Sequence, residues 1–143
     1  MAISLKDYDG SAGVMVDSNV WIDCMDASSA WHEWAIDHLQ LASESGALHI
    51  NQIIYAELLV PAMSNKYVDE VLGIYQTLHS NLPWEGAALT ASVYQNYRQR
   101  GGSKAMPMPD FYIGAHAAVM NLSVLTRDKK LYGAYFPRLA LFA

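Results

Sequence analysis

Four acidic residues, each from a separate segment, have the clearest chemical potential in this sequence: Asp17, Glu57, Asp110 and Asp128. Asp17 and Asp128 each come shortly after a short apolar run. Glu57 interrupts the strongly apolar segment 53–60, although a glutamate is almost never buried without a partner. Asp110 directly follows Pro109, a residue that favours the first position of a helix.

Convergence of these carboxylates would need relief from their mutual repulsion, either by a raised pKa or by a bound cation. Ligands that are all oxygen suit Mg²⁺ or Mn²⁺ better than zinc. Mg²⁺ held by few carboxylates keeps waters and open positions that phosphate oxygens can take. The pattern therefore indicates metal-assisted hydrolysis of a phosphodiester.

Each acid also has a purely structural interpretation. Asp17 and Asp128 fit a turn or a helix cap, and Glu57 fits a narrow solvent-facing stripe. Asp110 fits the first turn of a helix, where the helix dipole favours a carboxylate. For any one residue taken alone, both interpretations stay open.

Short apolar strands that alternate with helices predict how these acids are positioned. Strands are predicted at 13–16, 48–50, 82–84, 123–126 and 139–142, and helices at 29–44, 53–59, 67–78, 85–100 and 109–121. Asn51 is expected to cap the second helix, which ends near Pro61. The alternation predicts an α/β fold with a parallel sheet covered on both faces. Asp17 and Asp128 then follow carboxyl ends of strands, where such sheets bind ligands.

Composition limits the class of protein. The chain has 143 residues, of which 52% are hydrophobic and 16% charged, which predicts a single folded domain over residues 1–143. The single cysteine, Cys24, predicts neither an internal disulfide nor a zinc site. With no apolar leader and no run long enough to span a bilayer, we expect a cytoplasmic protein without a membrane partner.

Charge is distributed unevenly along the chain. Residues 1–97 carry two basic residues against twelve acidic ones, whereas residues 98–143 carry seven against two. This asymmetry suggests a polyanion partner, although a solvated basic face is an equal alternative. The basic residues near Asp110 and Asp128 are candidates for contacts with the phosphates of such a partner: Arg98, Arg100, Lys104, Arg127, Lys129 and Lys130.

Four motifs in this order resemble the PIN-domain family, and in particular the VapC-type toxins of bacterial toxin–antitoxin pairs. They are residues 16–21 (VDSNVW), 55–58 (YAEL), 109–117 (PDFYIGAHA) and 125–128 (LTRD). Two departures from the family pattern stand out. Ser18 stands where threonine is commoner, and Phe111 and Tyr112 are bulkier than usual, which bears on the shape of the pocket.

The resemblance implies a three-layer α/β/α sandwich, a Mg²⁺-dependent endoribonuclease (Mn²⁺ being an alternative), a cognate antitoxin and a homodimer. It further implies products with 5′-phosphate and 3′-hydroxyl ends. On this basis Asp17, Glu57, Asp110 and Asp128 hold the metal, directly or through water. Ser18, Asn19 and Thr126 are expected to hydrogen-bond these carboxylates or the scissile phosphate.

Other residues are assigned to structure. His116 is expected to be a core or surface residue and not a general base, because its helical offset directs it away from Asp110. Asp23 and Asp26 are expected at a solvated helix start. Gly114 and Ala117 are expected to let their helix approach the sheet. All four tryptophans are expected in the core and not as base-stacking platforms: Trp21, Trp31, Trp34 and Trp84.

Two rival functions come from other classes. A catalytically inactive PIN-like module would bind RNA or protein without turnover, but such a module would not need the complete acidic quartet. A phosphoacceptor receiver domain needs an early acidic pair and a late lysine at a spacing that this chain lacks. No GxGxxG or Walker sequence supports a nucleotide-cofactor enzyme.

Overall fold

Four short parallel strands and seven helices make up the fold of the described part of the chain. The computed structural model describes residues 7–101, 108–137 and 139–142. The strands are β1 (Val14–Val16), β2 (Leu48–Ile50), β3 (Leu78–His79) and β4 (Ser123–Leu125). The helices are α1 (Ser18–Met25), α2 (His32–Ser45), α3 (Gln52–Ala62), α4 (Asn65–Ile74), α5 (Trp84–Gln99), α6 (Pro109–Val119) and α7 (Lys129–Tyr135).

The sheet has the order β3-β2-β1-β4 with every pairing parallel. Connections from β1 to β2 and from β2 to β3 run in one direction, and the connection from β3 to β4 returns past β1. Right-handed crossovers then place the helices of the first two connections on one face and α5 and α6 on the other. The predicted three-layer α/β/α fold is therefore confirmed. That residues 1–143 form a single domain stays a prediction.

The core lies on both faces of the sheet. β1 is buried along its whole length, and so are both ends of β2, Leu48 and Ile50, and two residues of β4, Val124 and Leu125. A strand buried on both faces reads as a continuous apolar run, as the sequence of β1 does. Across the sheet from α3, the ring of Phe111 packs against the aromatic rings of Tyr94, Tyr97, Tyr135 and Phe136.

Several element predictions need correction. The segment 82–84 is not a strand. The edge strand is β3, and Trp84 begins α5. Residues 139–142 form only one parallel bridge, between Leu141 and Val124. α1 and α7 were not predicted, since each is only about two turns long and too short to show a repeated helical spacing of apolar residues.

Gly114 has a different neighbour from the one expected. A Cβ there would lie 2.5 Å from a ring carbon of Phe136, which follows α7. The small residue therefore lets α6 accept an aromatic ring, and the expected close approach of Gly114 and Ala117 to the sheet stays a prediction. No helix in the described ranges is long and apolar enough to cross a membrane.

Candidate active site at the carboxyl edge of the sheet

The edge formed by the ends of β1 and β4 holds the first two acids. Chain connections leave β1 and β4 in opposite directions, which makes this edge the switch point where α/β sheets bind ligands. Asp17 follows β1, and its backbone N–H donates to the Leu125 carbonyl at 2.9 Å. Asp128 lies three residues beyond the end of β4 and caps α7.

Asp17 is buried, with only 3% of its surface exposed, and its carboxylate is surrounded by donors. Oδ1 accepts from the Ser18 backbone N–H at 2.7 Å. Oδ2 accepts from the Thr126 hydroxyl at 2.8 Å and from the Tyr132 hydroxyl at 3.1 Å. Burial raises the pKa of Asp17, and the Asp128 charge adds to the rise, although these three hydrogen bonds oppose it.

Thr126 and Asn19 link the two strand ends. The Thr126 hydroxyl donates to Asp17, and it accepts from the Asp128 backbone N–H at 2.9 Å and from Asn19 Nδ2 at 3.3 Å. Asn19 Oδ1 in turn accepts from the Arg127 backbone N–H at 3.2 Å. Thr126 is fully buried and its hydroxyl is completely used by these contacts. The pair holds the loop that carries Asp128 beside Asp17.

Glu57 approaches the same edge from α3. Asn51 caps this helix as predicted, because its Oδ1 accepts from the Ile54 N–H at 3.0 Å. Glu57 Oε1 is buried and has no hydrogen-bond partner among the described residues. Burial raises the pKa of Glu57, a hydrogen bond from the Ser18 side chain opposes the rise, and the nearby Asp17 charge adds to it. A buried carboxylate oxygen without a donor is available to a ligand.

Asp110 comes from the first turn of α6 and experiences the charges of the other three acids. Burial is the largest cause that raises its pKa to about 6, and the charges of Asp17, Glu57 and Asp128 follow in that order. Four elements thus bring the four sequence-predicted acids into one electrostatic group. We call this group of Asp17, Glu57, Asp110 and Asp128 the acidic cluster.

Whether the acidic cluster suits a cation can be judged from its donors. Within the described ranges, no three carboxylate, imidazole or thiol groups stand close enough to enclose a metal ion by themselves. Mg²⁺ usually binds through one or two carboxylates and keeps several waters. The unpartnered oxygen of Glu57 and the repulsion at Asp110 both favour a positive charge here. The residues therefore fit a hydrated hard cation.

Tyr132 is a site residue that the sequence analysis missed. It lies on α7, it is 1% exposed, and its hydroxyl donates to Asp17. Burial raises its pKa well above the usual value, and the acidic charges add to the rise, so the phenol stays protonated and remains a donor. No signal in a single sequence joins residues 115 positions apart.

The basic residues are not all where the sequence predicted. Arg98 and Arg100 are exposed at the end of α5, and no contact joins them to the acidic cluster in the described residues. Lys129 and Lys130 are exposed in the first turn of α7, directly after Asp128. Lys104 lies outside the described residues. Arg127 forms an ion pair with Asp23 at 2.5 Å.

Asp23 therefore needs a correction, since it is not a solvated residue at a helix start. It lies inside α1 with 5% of its surface exposed, and it also accepts from the Ser29 hydroxyl at 2.9 Å. A buried carboxylate requires partners, which Arg127 and Ser29 supply. Asp26 follows the last residue of α1 as its C-cap.

The tryptophans also depart from expectation. Trp21 is fully buried, but Trp31 is 46% and Trp84 90% exposed. His116 is buried as expected, where its Nδ1 lies 3.1 Å from Asn51 Nδ2. Burial lowers the pKa of His116 to about 4, and the nearby His49 adds to this effect, so the ring is neutral and Nδ1 accepts from the amide.

Comparison with known proteins decides the family. The model of the PIN domain matches residues 14–137, which include every member of the acidic cluster. The chain belongs to the PIN-domain family. A comparison with curated proteins finds no match.

Several solved structures share the fold of this PIN domain. VapBC2 from Rickettsia felis, bound to a promoter DNA fragment, is 18% identical with a TM-score of 0.71, over 90% of this chain and 96% of that one. FitAcB from Neisseria gonorrhoeae is 22% identical with a TM-score of 0.64, over 91% and 96%. VapC20 from Mycobacterium tuberculosis, a toxin that cleaves the sarcin–ricin loop, is 15% identical with a TM-score of 0.61, over 85% and 95%.

Proposed function

We propose that this PIN domain is a metal-dependent endoribonuclease and the toxin of a VapBC-type toxin–antitoxin pair. The observation that carries the proposal is the convergence of Asp17, Glu57, Asp110 and Asp128 at one edge of the sheet, where burial and then the charges of the other three acids raise the pKa of Asp110 to about 6. Four acids from four elements are costly to gather unless a cation offsets their charge. The similarity in fold to VapC20, a toxin that cleaves an RNA loop, supports RNA as the substrate.

In this proposal Asp17, Glu57, Asp110 and Asp128 hold Mg²⁺, or Mn²⁺, directly or through water. The bound cation supplies a Lewis acid that activates water and offsets charge on the phosphate. Glu57 offers its unpartnered Oε1. Asp128 is exposed, so it lies nearest the solvent from which substrate arrives. Asp110, with its pKa raised to about 6, is an acid whose charged form a bound cation would favour.

Ser18, Asn19, Thr126 and Tyr132 act on the carboxylates and not on the substrate. Their hydrogen bonds fix both oxygens of Asp17 and hold Asp128 near it. Fixed orientation of a ligand carboxylate typically contributes a factor of about 10–100 to metal affinity or activity. The remaining basic residues, Arg98, Arg100, Lys104, Lys129 and Lys130, are proposed to contact backbone phosphates.

Tyr132→Phe is expected to lower cleavage about 10-fold, because it removes one donor from Asp17 and leaves the packing volume unchanged. The loss of one hydrogen bond should cost about 1 kcal/mol of folding stability. Steady-state cleavage and chemical unfolding measure the two effects. Tyr135→Phe is the matched control on α7, since its ring packs among aromatic residues. Equal activities of the two variants would contradict the assigned role of Tyr132.

The antitoxin and the homodimer are parts of the same proposal. A toxin–antitoxin complex from Klebsiella pneumoniae shares the fold of this chain, which supports an antitoxin partner. Such a partner would insert a basic or apolar segment at the acidic cluster, and basic side chains in that segment would offset the negative charge. A cytoplasmic location is proposed with this function.

Cleavage of RNA by the purified chain tests the function. We expect cutting of a structured RNA panel that includes tRNAs with Mg²⁺, none with excess EDTA, and recovery when Mg²⁺ or Mn²⁺ is returned. Labelling of the product ends should show 5′-phosphates. RNA that is bound but never cut, with or without metal, would favour the inactive binding module. Cutting that survives EDTA would contradict the role given to the cation.

A further inference from the structure

An aromatic and basic stack lies beside the acidic cluster, and the proposed function does not yet use it. The guanidinium carbon of Arg127 lies 5.1 Å from the ring centre of Trp31. The Trp31 ring meets that of Trp34 edge-on at 5.7 Å, and His38 stacks on Trp34 at 4.2 Å. Trp31 presents a large apolar ring to water, since 46% of its surface is exposed.

Arg127 is held rigidly in this stack. Its Nε donates to Asp23 Oδ2 at 2.5 Å, and this carboxylate is almost fully buried. The charge of Arg127 is thereby partly offset, whereas the side chain stays 32% exposed and its two terminal nitrogens make no hydrogen bond to the described residues. The ion pair orients the guanidinium over Trp31 and leaves these terminal donors available.

The stack is continuous with the acidic cluster through the backbone. The Arg127 N–H donates to Asn19 Oδ1, and Asn19 Nδ2 lies near Thr126 Oγ1 and Asp17 Oδ2, at 3.3 and 3.5 Å. Arg127 also directly precedes Asp128 in the chain. A nucleotide that lies across Trp31 would therefore be a close neighbour of the phosphate at the cluster. Trp84 is more exposed, but no cation packs on its ring within the described residues.

We propose that Trp31 and Arg127 form a stacking subsite for one unpaired nucleobase of the RNA, next to the scissile phosphate. This inference rests on the proposed function. Any base offers a face to an indole, so stacking selects an unstacked nucleotide more than a particular sequence. The guanidinium on the ring adds attraction, and its free donors suit the adjacent phosphate oxygens. The subsite thus favours single-stranded loops over duplexes.

Binding of a fluorescently labelled single-stranded RNA, measured in EDTA so that no cleavage occurs, tests this subsite. Trp31→Ala should weaken binding about 10-fold, and Trp31→Phe should retain most of the affinity. Trp84→Ala is the matched control and should bind as the wild type does. Thermal unfolding of each variant shows whether it is folded. Trp31→Leu, which keeps an apolar side chain but offers no ring face, should weaken binding to a similar extent and replaces Trp31→Ala if the latter does not fold.

An abasic scan identifies the stacked base. One abasic position should weaken wild-type binding about 10-fold and should have no further effect on Trp31→Ala, because the two changes remove the same contact. Equal losses at that position in both proteins would overturn the subsite. Unchanged RNA binding by Trp31→Ala together with weaker binding of an antitoxin would assign this surface to a protein partner instead. A wild type that cuts no RNA would refute the proposed function, whereas a cutting wild type with an unaffected Trp31→Ala would refute only the subsite.

Discussion

Asp17→Asn is expected to reduce RNA cleavage by about 100- to 1000-fold, the scale on which removal of one preorganised electrostatic group acts. The substitution keeps the size of the side chain and one acceptor oxygen for the Ser18 N–H. It removes the negative charge that the proposed cation needs, and it presents an amide to the hydroxyls of Thr126 and Tyr132. Single-turnover cleavage with saturating Mg²⁺ measures the loss.

The same substitution should not destabilise the metal-free protein. Burial raises the pKa of Asp17, so its charge is unfavourable in the folded state without a cation. A neutral asparagine removes that cost, which offsets the less favourable hydrogen bonds. We therefore expect the melting temperature in EDTA to be equal to or higher than that of the wild type, whereas the increase on addition of Mg²⁺ is lost.

Asp37→Asn is the matched control, because Asp37 is exposed on α2 and makes no hydrogen bond or ion pair with the acidic cluster in the described part of the chain. It should cut RNA at the wild-type rate. If Asp17→Asn melted well below the wild type in EDTA, Asp17 would be a structural cap of α1 and not primarily a ligand. Wild-type activity of Asp17→Asn would contradict the proposed chemistry.

Much of the site was predictable because strand ends and helix caps have local signatures. Asp17 and Asp128 follow short apolar runs, and the carboxyl ends of parallel strands share one edge. Asn51 in the correct place marks the start of α3, which in turn places Glu57 two turns into that helix. The local sequence thus predicts both the secondary-structure element and the position of the acid on that element.

The missed features depend on contacts between distant residues. Asp23 and Arg127 are 104 positions apart, and each has an ordinary surface interpretation when it is considered alone. Trp31 and Trp34 share a helical face with buried residues, but the helix begins only at His32, so Trp31 remains at the exposed end. Hydrophobic spacing predicts which residues share a face and not how far that face is covered.

β3 was misplaced for a similar reason. It has only two residues, both exposed, at the edge of the sheet. An edge strand that short has no apolar alternation to detect, and the neighbouring apolar segment 82–84 gave a false signal. The parallel register of His49 with Leu78 is fixed by the sheet and not by the local sequence.

Stability of the metal-free protein is expected to fall as pH rises from about 4 to about 6, and then to level off. The folded-state pKa of Asp110 is raised to about 6 from its usual 3.8. Over that interval the folded carboxyl still holds a proton that the unfolded chain has released, so folding becomes less favourable as pH rises. Because Asp110 is only half-buried and solvent screens its charge, we expect a loss on the order of 1 kcal/mol. Burial of Asp17 and Glu57 acts in the same direction.

Urea unfolding across this pH interval, with EDTA and with Mg²⁺, measures the effect. Asp110→Asn should remove the share of the pH dependence that this carboxyl carries, whereas Asp37→Asn should leave the whole dependence in place. Stabilisation by Mg²⁺ should grow through the same interval, because the cation binds the ionised acids and competes with their protons. Cleavage activity should rise towards neutral pH together with the stabilisation by Mg²⁺. Two outcomes would show that the charge of Asp110 is not coupled to those of the other acids in the cluster. One is the same pH dependence of stability in the wild type and in Asp110→Asn. The other is a stabilisation by Mg²⁺ that stays constant from about pH 4 to about pH 7.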